Sequence, residues 1–120
     1  MRLAYLSLDE VNRALAATFA TELEIELELY ARFADLAERN TDAVLCDLDS
    51  FYVDNLEKTV GTIVIGSKQM PIAVHSYNLD EERRRFLHQN GVITARRLQG
   101  GLLSRLAAAN RQTRASQTVA

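Results

Sequence analysis

Ala43-Val44-Leu45-Cys46 is an unbroken apolar run that ends directly on Asp47, with Asp49 two places on. A strand with one wet face alternates apolar and polar residues, so a short continuous run marks a strand buried on both faces. Helices must then cover it from two sides. In open parallel sheets, ligands sit just outside the carboxyl ends of such strands. Asp47 therefore stands where chemistry is expected; the plainer alternative is a carboxylate that caps a turn.

The flanking segments supply the layers. Leu3–Leu6 reads as a first strand ending near Asp9 and Glu10. Val11, Leu15 and Phe19 fall at helical spacing, which predicts a helix over Val11–Thr21. Glu22–Tyr30 alternates glutamate with apolar residues, which selects an edge strand with one acidic face over a continuous helix. Phe33, Leu36 and Ala37 suit a second helix that stops near Asn40. Beyond the central strand, Asp54–Val60 is able to start a helix, yet Gly61–Gly66 is β-branched and bounded by glycine, and reads as a strand. Pro71–Ser76 is a further strand, with proline at its tolerated first place. Asp80–Asn90 is a helix with its arginines outward, closed by Gly91. Val92–Ala95 is a last short strand and Gly101–Asn110, with Leu102, Leu103 and Leu106, a last helix. Residues 1–110 thus form one domain, and 111–120 a frayed tail or the start of a linker. Alternation of this kind predicts an α/β fold: a three-layer α/β/α sandwich, flavodoxin-like, around a parallel sheet of about five strands in the order 2-1-3-4-5.

Composition narrows the function classes. No run of about 18 apolar residues is present, so no membrane span is expected. No apolar segment follows Met1-Arg2, so no signal peptide is expected. The single cysteine, Cys46, has no partner for a zinc site and reads as a buried thiol, which fits a cytoplasmic setting. The net charge of −2 conceals an asymmetry: all 16 acids lie at or before Glu82, and eight arginines follow without one. That is either a basic surface for an acidic partner or second subunit, or a set of solvated helix faces. The chain as a whole is too acidic for direct nucleic-acid binding.

In length, in element order and over Asp47–Glu57, the chain resembles the receiver domain of bacterial response regulators. Aligned without a gap, Asp47 falls on the phospho-accepting aspartate, and Val53-Asp54-Asn55-Leu56-Glu57 on the Met-Asp-Gly-Leu-Glu that commonly follows it. Receivers end their first strand in acids that hold Mg2+. Those places fall here on Leu8, Asp9 and Glu10, so the resemblance implies that any Mg2+ is held by Asp9 and Asp47, with Glu10 as a substitute. Ser76 falls on the switch serine or threonine, and Phe51 on the proline after the acceptor. The phosphoryl-contacting lysine has no counterpart: its place holds Ala95, and the nearest cation, Arg96, is the candidate contact, with a planar fork instead of a point charge. No aromatic stands in Val92–Arg97 to relay a switch. With these parts missing, the resemblance implies an atypical receiver (pseudo-receiver). It would be a signalling and protein-interaction module, not an enzyme, requiring no cofactor and acting by dimerisation or binding on an attached or partner output, most often transcriptional. Its expected partners are proteins: a second copy, a sensor kinase or the output domain. The expected contact surface lies near Arg84, Phe86, Leu87, Arg96 and Arg97. The runner-up is a conventional Mg2+-dependent receiver phosphorylated at Asp47.

A third constellation competes. Val44–Asn55 is also similar to the first motif of haloacid-dehalogenase phosphatases, in which Asp47 would be the nucleophile and Asp49 the general acid. That motif closes the first strand of its domain; here two elements precede it, no acid follows Glu82, and too little chain remains. His75 reads as a structural, hydrogen-bonded histidine, and His88, among arginines on a polar helix, is assigned no role. The glutamates of Glu22–Glu28 do not converge as a cation cage requires; repulsion along that face is expected instead.

Overall fold

Ala43–Asp47 is buried at every position and forms the middle strand of the sheet. The computed structural model describes residues 1–36 and 40–118. Five strands, β1 (Arg2–Leu6), β2 (Glu26–Tyr30), β3 (Ala43–Asp47), β4 (Ile72–His75) and β5 (Ile93–Ala95), pair in the order β2-β1-β3-β4-β5. Every pairing is parallel, with Leu6 against Cys46 and Asp47 against His75 at the carboxyl ends. Fold class and strand order are those expected from the sequence.

Successive side chains along β3 point to opposite faces, and each face carries its own core. Leu3, Tyr5 and Leu45 pack under α1 (Glu10–Glu22) and α4 (Gly100–Thr118), against Ala16, Ala20, Leu102, Leu103 and Leu106. Leu6, Val44, Cys46 and Val74 pack on the other side under α2 (Leu56–Ser67) and α3 (Glu81–Gln89), against Val60, Ile63, Val64 and Leu87. Polar caps set the helix starts. Asp9, Asn55 and Asp80 each accept the backbone N–H three residues on, at 2.9, 3.1 and 3.2 Å. Gly91, at φ 83°, closes the turn after α3 in the left-handed region that glycine tolerates.

The structure corrects the sequence in four places. Residues 61–66 are helical, not a strand: Val60, Ile63 and Val64 recur at helical spacing and are buried, and the parallel step from β3 to β4 demands a crossover. The second helix expected at Phe33–Ala37 is a short 3-10 turn over Phe33–Leu36, and Ala37 lies outside the described residues. The alternating run is divided. Glu22 ends α1, Glu24 takes a left-handed φ of 56°, and the strand begins at Glu26; it is an edge strand, as its acids foretold. The last helix passes Asn110 and continues to Thr118, tied to the sheet by Arg114 Nη2 donating to Asp42 at 3.2 Å. Val119 and Ala120 lie outside the described residues. No helix among the described residues is long and apolar enough to cross a membrane.

Candidate functional site

The carboxyl ends of β1, β3, β4 and β5 surround a cleft of about 380 Å3, whose lining includes Asp9, Asn12, Asp47, Asp49, His75, Tyr77, Arg96 and Arg97. This is where an open parallel sheet places its ligands. Asp47 ends β3 at its floor, 2% exposed. Its Oδ2 accepts from Ser7 Oγ at 2.8 Å and from Asn12 Nδ2 at 3.0 Å. Its Oδ1 faces His75 Nδ1 at 3.7 Å, too long for a hydrogen bond. The β1–β3 register explains the first partner: Leu6 lies against Cys46, so the next residue, Ser7, meets Asp47. Asn12 reaches the same oxygen from the first turns of α1.

Beneath Asp47, the Tyr5 hydroxyl and His75 Nε2 lie 2.7 Å apart, both residues buried. Burial pushes the His75 imidazole below its ordinary value, outweighing the charges of Asp47, Asp49 and Asp9 that pull it upward. His75 is therefore neutral near pH 7, and the two neighbours select the tautomer with a proton on Nδ1 toward Asp47, leaving Nε2 to accept from Tyr5. Burial, and then the charge of Asp47, hold the Tyr5 phenol well above its usual range, so it remains a donor.

Asp49 stands on the 3-10 turn Leu48–Ser50 that follows β3. Its Oδ1 accepts from Ser76 Oγ at 2.5 Å and its Oδ2 from the Tyr77 backbone N–H at 2.6 Å. Ser76 is thus engaged by Asp49, not directed at Asp47. Arg96 and Arg97 follow β5 along the cleft, with Arg96 Nη2 3.2 Å from Glu81 Oε1.

The expected Mg2+ set assembles in part. Asp9 is exposed, caps α1 and lies in the cleft lining with Asp47, Glu10 is exposed in the first turn of that helix and outside that lining, and Ser7 stands beside Asp47 and donates to it. Among the described residues no three of His, Cys, Asp or Glu are placed to hold a metal. Mg2+ is commonly held by one or two carboxylates with water, and Asp9 and Asp47 share the cleft lining, so of the expected set only Glu10 stands apart. The alignment of Leu8, Asp9 and Glu10 with the acid places ran beyond the strand: β1 stops at Leu6.

The expected contact surface contracts. Leu87 is fully buried in the α3 face of the core, and the Arg84 side chain is 13% exposed, its fork donating to the carbonyls of Ser76, Leu79 and Ala95 at 2.8, 3.2 and 3.3 Å. A guanidinium that satisfies two loop carbonyls and one at the end of β5 is drawn inward by them, whatever the helix periodicity implies. Phe86, at 47% exposed, and the exposed Arg96 and Arg97 remain on the surface. His75 is the hydrogen-bonded core histidine expected, whereas His88 is exposed in the last turn of α3. Ser7, Asn12 and the Tyr5–His75 link were not singled out from sequence; the one available signal was a polar Ser7 directly after an apolar strand.

No protein-family model matches the chain, and no curated protein resembles it by sequence. Solved structures do. A CheY-like response regulator receiver domain from Methanospirillum hungatei superposes with a TM-score of 0.74 at 13% identity, over 96% of this chain and 97% of that one. The receiver domain of the sensor histidine kinase PA1611 from Pseudomonas aeruginosa, with a magnesium ion coordinated in its active-site cleft, gives 0.66 at 18% identity, over 91% and 96%. The receiver domain of the Saccharomyces cerevisiae response regulator Ssk1, in complex with the phosphotransfer protein Ypd1, gives 0.68 at 13% identity, over 94% and 90%.

Proposed function

We propose that this chain, which has the fold of response-regulator receiver domains, is a signalling and protein-interaction module that works without a phosphoryl group on Asp47, and is not an enzyme. One observation carries this: the Asp47 carboxylate is buried among neutral groups, with Oδ2 shared by Ser7 and Asn12 and Oδ1 facing the neutral His75 ring. A phospho-acceptor needs an open oxygen for in-line attack and cations that neutralise the arriving charge, which together supply most of phosphoryl-transfer catalysis. Here the groups around the carboxylate, Ser7, Asn12 and a neutral His75, bring no positive charge, and Arg96, at the cleft wall, is shared with Glu81. The phosphatase alternative has no support in this geometry either, because the acid it requires, Asp49, is held at both oxygens.

In this reading the domain is cytoplasmic and acts by binding, as a homodimer or on an attached or partner output, the latter transcriptional. Phe86, Arg96 and Arg97 contribute to the contact. Apolar and aromatic groups give such a contact its centre, and arginine its specificity and rate of encounter. Incubation with acetyl phosphate and Mg2+ followed by intact-mass measurement tests the proposal. We expect no adduct. A stoichiometric phosphate adduct that disappears in Asp47→Asn overturns the proposal in favour of a conventional receiver.

A further inference from the structure

We propose that Asp49 is a fixed latch that holds the backbone of the Ser76–Asp80 loop, and with it the position from which Tyr77 projects, in one arrangement, so that the surface beside Arg96 and Arg97 is formed without any change at Asp47. The proposal deepens the one above, on which its signalling consequence rests; the latch itself rests on contacts of its own. The turn Leu48–Ser50 carries Asp49 across to the end of β4, where each carboxylate oxygen takes one donor: Oδ1 the Ser76 hydroxyl at 2.5 Å, and Oδ2 the Tyr77 backbone N–H at 2.6 Å. Ser76 Oγ also accepts from the Leu79 N–H at 3.1 Å, so the hydrogen of this hydroxyl, 2% exposed, is committed to Asp49. On the far side, Arg84 gathers the Ser76 and Leu79 carbonyls together with that of Ala95, which also accepts from the Ser76 N–H at 2.9 Å. An anion and a cation thus grip the loop from opposite sides, and both are charge-assisted contacts, the stronger kind.

The product of the grip is Tyr77. Its amide is pinned while the residue stands 71% exposed, on the cleft that Arg96 and Arg97 also line. Tyrosine and arginine are the residues that dominate the centres of protein contacts. A loop free to move would have to order itself on binding; a latched loop has already done so.

Hydrogen exchange on the full chain, followed residue by residue by NMR, tests the latch in the parent, in Asp49→Ala and in Asp49→Asn. In Asp49→Ala, exchange at the Tyr77 and Leu79 amides rises about tenfold or more, because two donors lose a charged acceptor. Exchange at Leu45, in the middle of β3, stays as in the parent. Protection of Tyr77 and Leu79 equal to the parent in both variants overturns the latch. If Asp49→Ala loosens the whole domain, Leu45 also exchanges faster; Asp49→Asn, which retains an amide oxygen, then decides by whether Tyr77 alone accelerates. A phosphate adduct on Asp47 with Tyr77 still latched refutes the proposed function and not the latch. A free Tyr77 without an adduct refutes the latch alone.

Discussion

Replacing Asp47 separates a keystone from an acceptor, because the two roles predict effects of different size. Asp47→Ala strips the buried Ser7 hydroxyl and the part-buried Asn12 amide of their shared oxygen and leaves the buried His75 Nδ1 facing a void. A hydrogen bond to a charged group is worth about 1.5–3 kcal/mol, and a buried donor left unpaired costs its full desolvation. Two such bonds sum to about 3–6 kcal/mol, and because the Asn12 contact is only part-buried the loss falls in the lower part, about 3–5 kcal/mol, against a total of about 5–15 kcal/mol for a domain of this kind. Asp47→Asn retains one accepting oxygen, and about half of that loss is expected. An aspartate standing free in a cleft would change stability by no more than about 0.5 kcal/mol on the same replacement. Urea unfolding followed by far-UV circular dichroism measures the difference. With a slope of about 1.5 kcal/mol/M, Asp47→Ala should lower the midpoint by about 2–3 M. A shift below about 0.5 M in either variant, with unchanged slope, would refute the keystone argument.

Other positions allow equally direct tests. Because burial holds the folded His75 below the ordinary imidazole value, the unfolded chain takes up the proton first; its contribution is intact above about pH 6.5 and is lost as pH falls below it, by up to about 1.4 kcal/mol per pH unit. Thermal melts of His75→Gln between pH 7 and 5 should show a flatter decline than the parent, and parallel declines would contradict the assignment of a neutral, buried ring. Leu87→Ala should cost about 2–5 kcal/mol while Phe86→Ala, half exposed, costs about 1 kcal/mol or less; equal losses in denaturant melts would mean that α3 is rotated from the orientation described. Gly91→Ala forces a side chain into φ 83° and should cost about 1 kcal/mol in the same measurement, a neutral result arguing against the left-handed turn.

Much of the fold was legible because the periods were clean. The apolar run into Asp47 gave the central strand, and the alternation of elements gave the parallel sheet and its order. Legibility failed where two signals conflicted. The β-branched residues at 62–65 have strand propensity, yet Val60, Ile63 and Val64 also fit a helix face, and the crossover between parallel strands decided between them. The site was less legible than the fold because its decisive contacts cross between elements. That Ser7 meets Asp47 follows from the β1–β3 register, and that Asp49 meets Ser76 from a single 3-10 turn; neither register nor turn is written in local pattern. Arg84 turned inward for the same reason: the carbonyls that attract it come from a loop and a neighbouring strand.

Cys46, one residue before Asp47, gives the central strand a clock of its own. It is the chain's sole cysteine, with no solvent exposure, and burial, followed by the charge of Asp47, pushes its thiol up to about 12. Inside the folded strand the thiol therefore stays protonated at neutral pH, and the thiolate is the reactive form. Oxidants and thiol reagents therefore act on this domain only in the moments when β3 parts from its neighbours, which makes the folded state indifferent to redox conditions. The same fact ties covalent damage to breathing: a bulky reagent reports how often the strand beneath the cleft opens, and any mutation that loosens that strand turns a silent thiol into a reactive one.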